Sequence, residues 1–167
     1  MASHSFTVRR AVPGDEPVLR NLRLEALTEA PEAFCSTYER ELARTTADWQ
    51  RWMAPNVTVI LEERGVARGL VSGRHDPDEP GVVHLMSMWV HPAMRASGAA
   101  DALVHEYLAW ANEAGAKLVR LEVIAANDRA RRFYERHGFQ RQGPDVAREG
   151  EARQQLRMER PLTEVSL

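Results

Sequence analysis

Residues 82–113 contain the feature that most limits what this chain can fold into. An apolar run at residues 82–90 stops at His91-Pro92, a glycine-containing turn follows, and apolar residues at helical spacing begin at Ala100. A long strand that passes through a short turn into a helix is typical of α/β proteins. The rest of the chain therefore has to supply the other strands of a sheet and the helices that cover it.

The remaining segments predict the element order β-α-α-β-β-β-α-β-α-β-β. Strand patterns lie at residues 6–10, 57–62, 66–73, 82–90, 117–124, from 139 onward and at 154–158, and helical patterns begin near residues 15, 46, 100 and 127. Arg64-Gly65 separates the second strand from the third and indicates a hairpin. Because 167 residues suit one domain of ~100–200 residues, we predict a single α/β domain over residues 1–167 with a mixed sheet.

The composition argues against several classes of function. The formal net charge of −2 does not favour nucleic acid as a partner. Cys35 is the single cysteine, so neither an internal disulfide nor a cysteine-based zinc cluster can form, and we expect no metal. We find no apolar run of the ~18–20 residues that a membrane span needs, and no secretory pattern at the start. We therefore expect a cytoplasmic protein that binds neither nucleic acid nor a membrane.

The turn at residues 95–100 has the chemistry of an anion site. A helix begins after it, and the first N–H groups of a helix are unpaired and carry about half a positive charge. Gly98 lets a ligand approach the backbone closely, and Arg95 adds a charge beside the turn. These features suit a diphosphate. The turn is neither a Walker loop, which needs a following Lys-Ser or Lys-Thr, nor a three-glycine dinucleotide fingerprint.

Two motifs in this half of the chain resemble those of one enzyme family. Residues 95–100 read Arg-Ala-Ser-Gly-Ala-Ala and match Arg/Gln-x-x-Gly-x-Gly/Ala, and residues 127–139 match Asn-x-x-Ala-x-x-Phe/Leu-Tyr-x-x-x-Gly-Phe. In this order they are similar to the motifs of the GNAT superfamily of N-acetyltransferases, of bacterial type. The resemblance implies a mixed, mostly antiparallel sheet with two splayed central strands, flanked by helices. Ala96 departs from the pattern, since many relatives carry glycine at this position. Alanine forbids some backbone angles that are open to glycine, so the turn can differ slightly from theirs.

The resemblance also implies acetyl-CoA as co-substrate, held between the splayed strands, with no metal. The backbone of residues 88–90 would pair with the pantetheine arm, and the turn would hold the pyrophosphate through its N–H groups. Asn127 is similar to the family residue that contacts the cofactor arm, and it can serve as a helix N-cap at the same time. The implied cofactor-binding residues are Met88, Trp89, Val90, Arg95, Ala96, Ser97, Gly98, Ala99, Ala100, Asn127 and Tyr134.

Tyr134 is the first candidate for a catalytic residue. Direct transfer of an acetyl group from a thioester to an amine expels a thiolate, and a nearby hydroxyl can give that sulfur a proton. Tyr134 occupies the tyrosine position of the second motif. The alternative is a core aromatic, since it shares a helix face with Ala130, Phe133 and His137.

His84 and Glu122 are candidates for the base that takes a proton from the amine. The imidazole of an ordinary histidine has a pKa of about 6.5, which suits this task. Strand alternation puts His84 on one face with Met86 and Met88, and the alternative is a hydrogen-bonded histidine under a loop. Glu122 on the next strand is the reserve candidate, and the alternative for it is an exposed or arginine-paired carboxylate.

The acceptor pocket is expected near residues 24–52, where Phe34, Tyr38 and Trp52 are the candidate substrate contacts, although such aromatics are more often core residues.

Three functions stay open. The first is acetylation of a small-molecule amine, the second is acetylation of a protein N-terminus or lysine, and the third is a non-catalytic acyl-CoA-binding module. A homodimer is possible, with the strand at 154–158 as an edge for pairing.

Overall fold

The computed structural model describes residues 5–147 and 153–163, so the predicted domain ends at residues 1 and 167 lie outside the described residues. The helices are α1 (Glu16–Glu29), α2 (Tyr38–Leu42), α3 (Thr46–Met53), α4 (Ala99–Glu113) and α5 (Asp128–Arg136). The strands are β1 (Thr7–Arg10), β2 (Val57–Glu63), β3 (Val66–His75), β4 (Val82–Val90), β5 (Leu118–Ile124), β6 (Gln140–Arg141), β7 (Val146–Ala147) and β8 (Gln154–Pro161). Short 3-10 helices span Pro31–Ala33 and Pro92–Met94.

The strands form one sheet in the order β1-β2-β3-β4-β5-β8-β6, with β7 also paired to β8. All pairs are antiparallel except β4 with β5, which run parallel and are joined through α4. The predicted mixed, mostly antiparallel sheet is therefore confirmed. The expectation that β8 offers a free edge is wrong, because β5 covers one side and β6 and β7 cover the other. Within the described residues, no helix has both the length and the apolar character of a membrane span.

The central strands β4 and β5 separate along their length. Their pairing begins at Val82 with Leu118 and ends at His84 with Arg120. Residues 85–90 of β4 and 121–124 of β5 have no pairing with each other. The predicted splay of the two central strands is confirmed, and it leaves backbone N–H and C=O groups of β4 facing an opening.

A β-bulge reverses the faces of β4 within its own length. Its register with β3 shifts between the pairs Ser72–Met86 and Leu70–Trp89, and Ser87 has a φ of 59°. As a result Leu85 and Met88 both pack on the core beneath α4, while Trp89 belongs to the opposite core. The prediction that Met88 shares a face with His84 is wrong, because strict alternation does not survive the extra residue of a bulge.

Two apolar cores lie on opposite faces of the sheet. The larger one lies beneath α4 and includes Leu103 and Tyr107, and the smaller one lies beneath α1 and α3 and includes Leu19 and Trp49. Gly73 of β3 lets α4 approach closely, since a Cβ there would lie 2.4 Å from Cε2 of Tyr107. The two cores fix helices on both faces of the sheet, and the opening between β4 and β5 lies between them.

Local capping agrees only partly with the sequence. Asp15 precedes α1 as predicted, but its side chain makes no capping hydrogen bond, because it accepts from the guanidinium of Arg9 at 2.7 and 2.9 Å. α3 begins with a capping box between Thr45 and Asp48. The sequence did not predict α2, which has five residues and buries only Glu41.

Candidate active site

A cavity of about 630 Å³ lies where β4 and β5 separate. One side of its wall comes from the diverging strands and from α5, including His84, Glu122 and Tyr134. The other side comes from α1, from residues 33–44 and from α3, including Phe34 and Trp52. The cavity therefore brings together residues that the sequence placed in three separate roles.

The turn before α4 presents unpaired N–H groups. In the described part of the chain, the backbone N–H groups of Ala96, Gly98 and Ala100 donate no hydrogen bond. Gly98 has a φ of 86°, and no other atom lies within 4 Å of where its Cβ would be. Ala96 also has a positive φ, 59°, which an alanine adopts at a cost of about 1–2 kcal/mol. The turn therefore leaves several backbone donors open, and the predicted binding of an anion there stays a prediction.

The positive charge of the Arg95 side chain is already balanced by a carboxylate. Its Nη2 donates to Oε2 of Glu29 at 2.7 Å, and Nε1 of Trp89 donates to the same oxygen at 2.9 Å. The hydrogen bond from Arg95 lowers the pKa of Glu29, so this carboxylate stays ionised at neutral pH. Trp89 is buried in the core beneath α1. The donors that the turn leaves open are thus mainly backbone N–H groups, while Arg95 ties the turn to the end of α1. Ser97 supports the turn by donating to the carbonyl of Met94, and the N–H of Ala99 faces its hydroxyl oxygen at 3.4 Å.

Asn127 and Tyr134 reach the cavity from α5. Asn127 is the N-cap, and its Oδ1 accepts from the N–H of Ala130 at 3.1 Å. Tyr134 is buried, and its ring packs against Phe133 and Phe139 with centroids 5.2 and 5.7 Å apart. Burial raises the pKa of the Tyr134 hydroxyl above its usual value, so this group keeps its proton at neutral pH. Tyr134 is therefore both a core aromatic and a cavity residue that holds a proton.

His84 is held by a carboxylate that the sequence did not identify. Its Nε2 lies 2.6 Å from Oδ2 of Asp76, in the loop before β4. This hydrogen bond, with the N–H groups of Asp78 and Glu79, holds the pKa of Asp76 well below its usual range. Because an ionised carboxylate only accepts, Nε2 of His84 is the donor in this hydrogen bond, and in the neutral form of a ring held this way Nδ1 is the acceptor. His84 is thus hydrogen-bonded to a loop, as the alternative interpretation expects, and it also lines the cavity; its role as a base stays a prediction.

The other predicted residues divide into two groups. Glu122 lines the cavity but lies 3.4 Å from Nη2 of Arg157, which agrees with the arginine-paired alternative. Phe34 and Trp52 line the cavity as expected for substrate contacts. Tyr38 is exposed and does not contribute to the cavity wall. Met88 lines the cavity, whereas Trp89, Val90 and the turn at residues 95–100, which were also predicted to contact the cofactor, are not part of its wall.

Several functional candidates were missed because their signal is weak in the sequence. Arg23 is 4% exposed on the buried side of α1, and it could have been noticed as a charge between Leu22 and Leu24 on an apolar helix face. Glu41 and Arg44 lie in and after the short helix α2, where no pattern marks them. In residues 5–147 and 153–163, no group of three histidine, cysteine or acidic side chains is placed to hold a metal ion.

Comparisons with known proteins agree with this geometry. The sequence model of the acetyltransferase (GNAT) family matches residues 21–139. Uncharacterized N-acetyltransferases of Mycobacterium tuberculosis and Mycobacterium bovis are 36% identical to this chain over 93 residues. That match covers 50% of this chain and 60% of the length of those relatives.

Solved structures share the fold at low sequence identity. A GCN5-related N-acetyltransferase from Kribbella flavida superposes with a TM-score of 0.75 at 22% identity, over 94% of this chain and 98% of that one. A GNAT-family acetyltransferase from Streptococcus pneumoniae gives 0.79 at 18%, over 95% and 100%. The yncA protein of Salmonella typhimurium, solved with its cofactor acetyl-CoA, gives 0.74 at 20%, over 98% and 97%.

Proposed function

Since this chain belongs to the acetyltransferase (GNAT) family, we propose that it transfers an acetyl group from acetyl-CoA directly to the primary amine of a small molecule. One observation carries the proposal. Tyr134, which keeps its proton, and His84, whose ring is held by Asp76, line the same cavity where β4 and β5 separate. A proton donor and a proton acceptor in one cavity are what amine acetylation by a thioester needs.

The residues present fit acetyl-CoA. The unpaired N–H groups of Ala96, Gly98 and Ala100 suit its pyrophosphate, and the unpaired stretch of β4 suits the amide groups of its pantetheine arm. Asn127 lines the cavity and keeps its side-chain NH₂ available, because only its Oδ1 is used in capping. Bound there, acetyl-CoA supplies the acetyl group on a thioester sulfur.

Tyr134 acts as the general acid in this proposal. Its hydroxyl gives a proton to the sulfur that leaves when the amine nitrogen bonds to the acetyl carbon. The hydroxyl is protonated at neutral pH before the reaction, and the aromatic contacts with Phe133 and Phe139 hold the ring in place.

His84 acts as the general base. A free amine is needed for attack, and an amine of pKa ~10.4 is mostly protonated at neutral pH. Nδ1 of His84 takes the proton, and Asp76 stabilises the imidazolium that results. Glu122 is the less favoured base, because its carboxylate already contacts Arg157.

The size and wall of the cavity favour a small acceptor over a protein. Its volume of about 630 Å³ is shared between the pantetheine arm of acetyl-CoA and the acceptor, so only part of it is available to the acceptor. Side chains of α1 and α3 and of residues 33–44, with Phe34 and Trp52 among them, line the side opposite α5. Acetylation of a peptide amine stays as the alternative, and a homodimer stays a prediction.

A panel of primary amines, including peptides, tests the proposal. Free CoA thiol and the acetylated amine are measured together with acetyl-CoA as the donor. We expect both products in equal amounts with at least one small amine, and a rise in melting temperature on adding acetyl-CoA. A rise without turnover on any amine would indicate a non-catalytic acyl-CoA-binding module, and no rise would contradict the proposed cofactor.

A further inference from the structure

The acceptor side of the cavity contains two arginines that share one carboxylate. Glu41 is 1% exposed, and its Oε1 accepts from Nη2 of Arg23 at 3.1 Å and from Oγ of Ser36 at 2.7 Å. Its Oε2 accepts from Nε of Arg44 at 2.8 Å. Burial raises the pKa of Glu41, but the charges of Arg23 and Arg44 and the hydrogen bonds from Ser36 and Arg23 together lower it overall, so this group is an anion. Two cations and one anion leave this part of the wall with one excess positive charge.

Arg23 also has a hydrogen-bond donor without a partner. The residue is 4% exposed, and its Nε is buried without a hydrogen bond. Buried polar groups are almost always paired, and leaving a charged donor unpaired is costly. A structural ion pair between α1 and α2 needs no second arginine, whereas a binding site for an anion uses both guanidinium groups.

Aromatic rings fix the orientation of both guanidinium groups. The guanidinium of Arg23 lies 5.3 Å from the ring of Phe34 and 5.2 Å from that of Trp52. That of Arg44 lies 5.1 Å from Trp52 and 5.5 Å from Trp49. Nε1 of Trp52 in turn donates to Ser72 of β3 at 3.0 Å, which holds the shared ring against the sheet. The two planar cations are therefore held in position before any ligand binds.

Further positive charge lies around the same cavity. Arg40 and Arg74 are exposed residues of its wall, and neither forms an ion pair within the part of the chain that the structure describes. Arg74 is the cross-strand partner of His84. The acidic groups of the wall, Glu41 and Glu122, each contact an arginine. The wall thus favours an anion, even though the whole chain has a net charge of −2.

We propose that the acceptor is a small primary amine that also carries an anionic oxygen group, as an amino acid carries its carboxylate, and that Arg23 and Arg44 bind this group. The inference rests on the proposed function and deepens it, since it names the substrate class of the same site. Planar guanidinium groups bind planar oxyanions with paired hydrogen bonds, and the anion would neutralise the excess charge beside Glu41. The amine end of such an acceptor is then directed toward His84 and the acetyl group.

Matched substrates test the inference. Common L-amino acids, their α-amides and short aminoalkylphosphonates are compared as acceptors, with release of CoA thiol as the readout. Each amide keeps the amine and loses the charge. We expect kcat/KM to be about 10- to 100-fold higher for the preferred acid than for its amide. A preference for the phosphonate over the carboxylate would identify a phosphorus oxyanion as the group that is bound. Equal rates for acids and amides would overturn the inference while leaving the proposed function intact.

Variants of the arginines make the test specific. Arg44→Gln leaves the pair between Arg23 and Glu41 in place, and we expect it to raise KM for the acid about tenfold or more, with little change for the amide. Arg23→Lys keeps the charge but removes the planar group, and it should also raise KM for the acid. The control is Arg51→Gln, because Arg51 is 71% exposed on α3 and lies outside the cavity wall.

A binding measurement separates the two possible failures. Titration calorimetry of the acid into the enzyme with CoA should give heat that Arg44→Gln weakens and Arg51→Gln does not. Equal loss of acid and amide turnover in Arg44→Gln, with a normal acetyl-CoA thermal shift, would overturn the anion site alone. If no amine of any charge releases thiol, the proposed function fails, and this inference fails with it.

Discussion

The two halves of the cavity wall present different chemical groups, backbone in one half and side chains in the other. The half beside α5 offers backbone groups, namely the unpaired stretch of β4, and the turn at residues 95–100 with its unpaired N–H groups follows β4 outside the cavity wall. The half beside α1 and α3 offers side chains, namely the arginines around Glu41 and the rings of Phe34 and Trp52. A backbone site suits a cofactor that never changes. A wall of side chains can be altered for a new acceptor without changing the fold. The first half is therefore informative about the family, and the second half about the substrate.

Removing the hydroxyl of Tyr134 should have the largest effect on turnover. Tyr134→Phe keeps the ring contacts with Phe133 and Phe139 but removes the proton donor, so we expect kcat to fall about 10²–10³-fold. Because the change acts on the chemical step, the thermal shift with acetyl-CoA should stay as in the wild type. Tyr38→Phe, at an exposed position outside the cavity wall, is the matched control. Unchanged turnover in Tyr134→Phe would remove its assigned role.

Removing the base should have a smaller effect that depends on pH. We expect His84→Gln to lower kcat/KM about 10- to 100-fold at neutral pH, since the acceptor amine is then mostly protonated. The loss should shrink as the pH rises, because more of the amine is already free. His105→Gln, on α4 and outside the cavity wall, is the control. A loss that is the same at every pH would indicate that His84 only shapes the cavity.

The pair between Asp76 and His84 should also appear in the stability of the protein. The pKa of Asp76 is lowered in the fold, so its carboxylate stabilises the folded state above the unfolded Asp pKa of about 3.9, and this contribution is lost as the pH falls through the folded value. In urea denaturation, Asp76→Asn should therefore be less stable than the wild type at pH ~7, and the difference should shrink below pH ~4. A difference that stays constant over this range would show that the charge of Asp76 is not what stabilises the loop.

The smallest expected effects concern the turn at residues 95–100. Ala96 and Gly98 both have positive φ, 59° and 86°, so Ala96→Gly should relieve strain and Gly98→Ala should introduce it. Each change should alter the free energy of unfolding by about 1 kcal/mol, in opposite directions, and shift the melting temperature by about 2–4 °C. Neither should change the preference between acids and amides. If Ala96→Gly altered that preference, the division of the cavity into two independent halves would be wrong.

The sequence predicted the elements around the turn at residues 95–100 well, because these elements follow from the spacing of residues that are close together in the chain. The strand at 82–90, the turn with Gly98 and the N-cap Asn127 are all set by residues close together in the chain. The bulge at Ser87 was missed, because an extra residue in a strand is visible only against the register of its neighbour.

The acceptor half could not be predicted in the same way. Arg23, Glu41 and Trp52 meet only because α1, α2 and α3 fold over the same edge of the cavity, and nothing in their spacing indicates contact. Phe34 and Trp52 were predicted as acceptor contacts, whereas the single cue to the arginines was a charged residue on an apolar face of α1. Asp76 was likewise not identified, since its partner His84 lies eight residues away on the next strand.

The most direct test of the account is the simultaneous measurement of CoA thiol and acetylated acceptor for the wild type, Tyr134→Phe and Arg44→Gln, each with an acid and with its amide. The account predicts equal amounts of both products in the wild type, a loss with both acceptors in Tyr134→Phe, and a loss confined to the acid in Arg44→Gln. Thiol release without an acetylated amine, or full turnover in Tyr134→Phe, would contradict it.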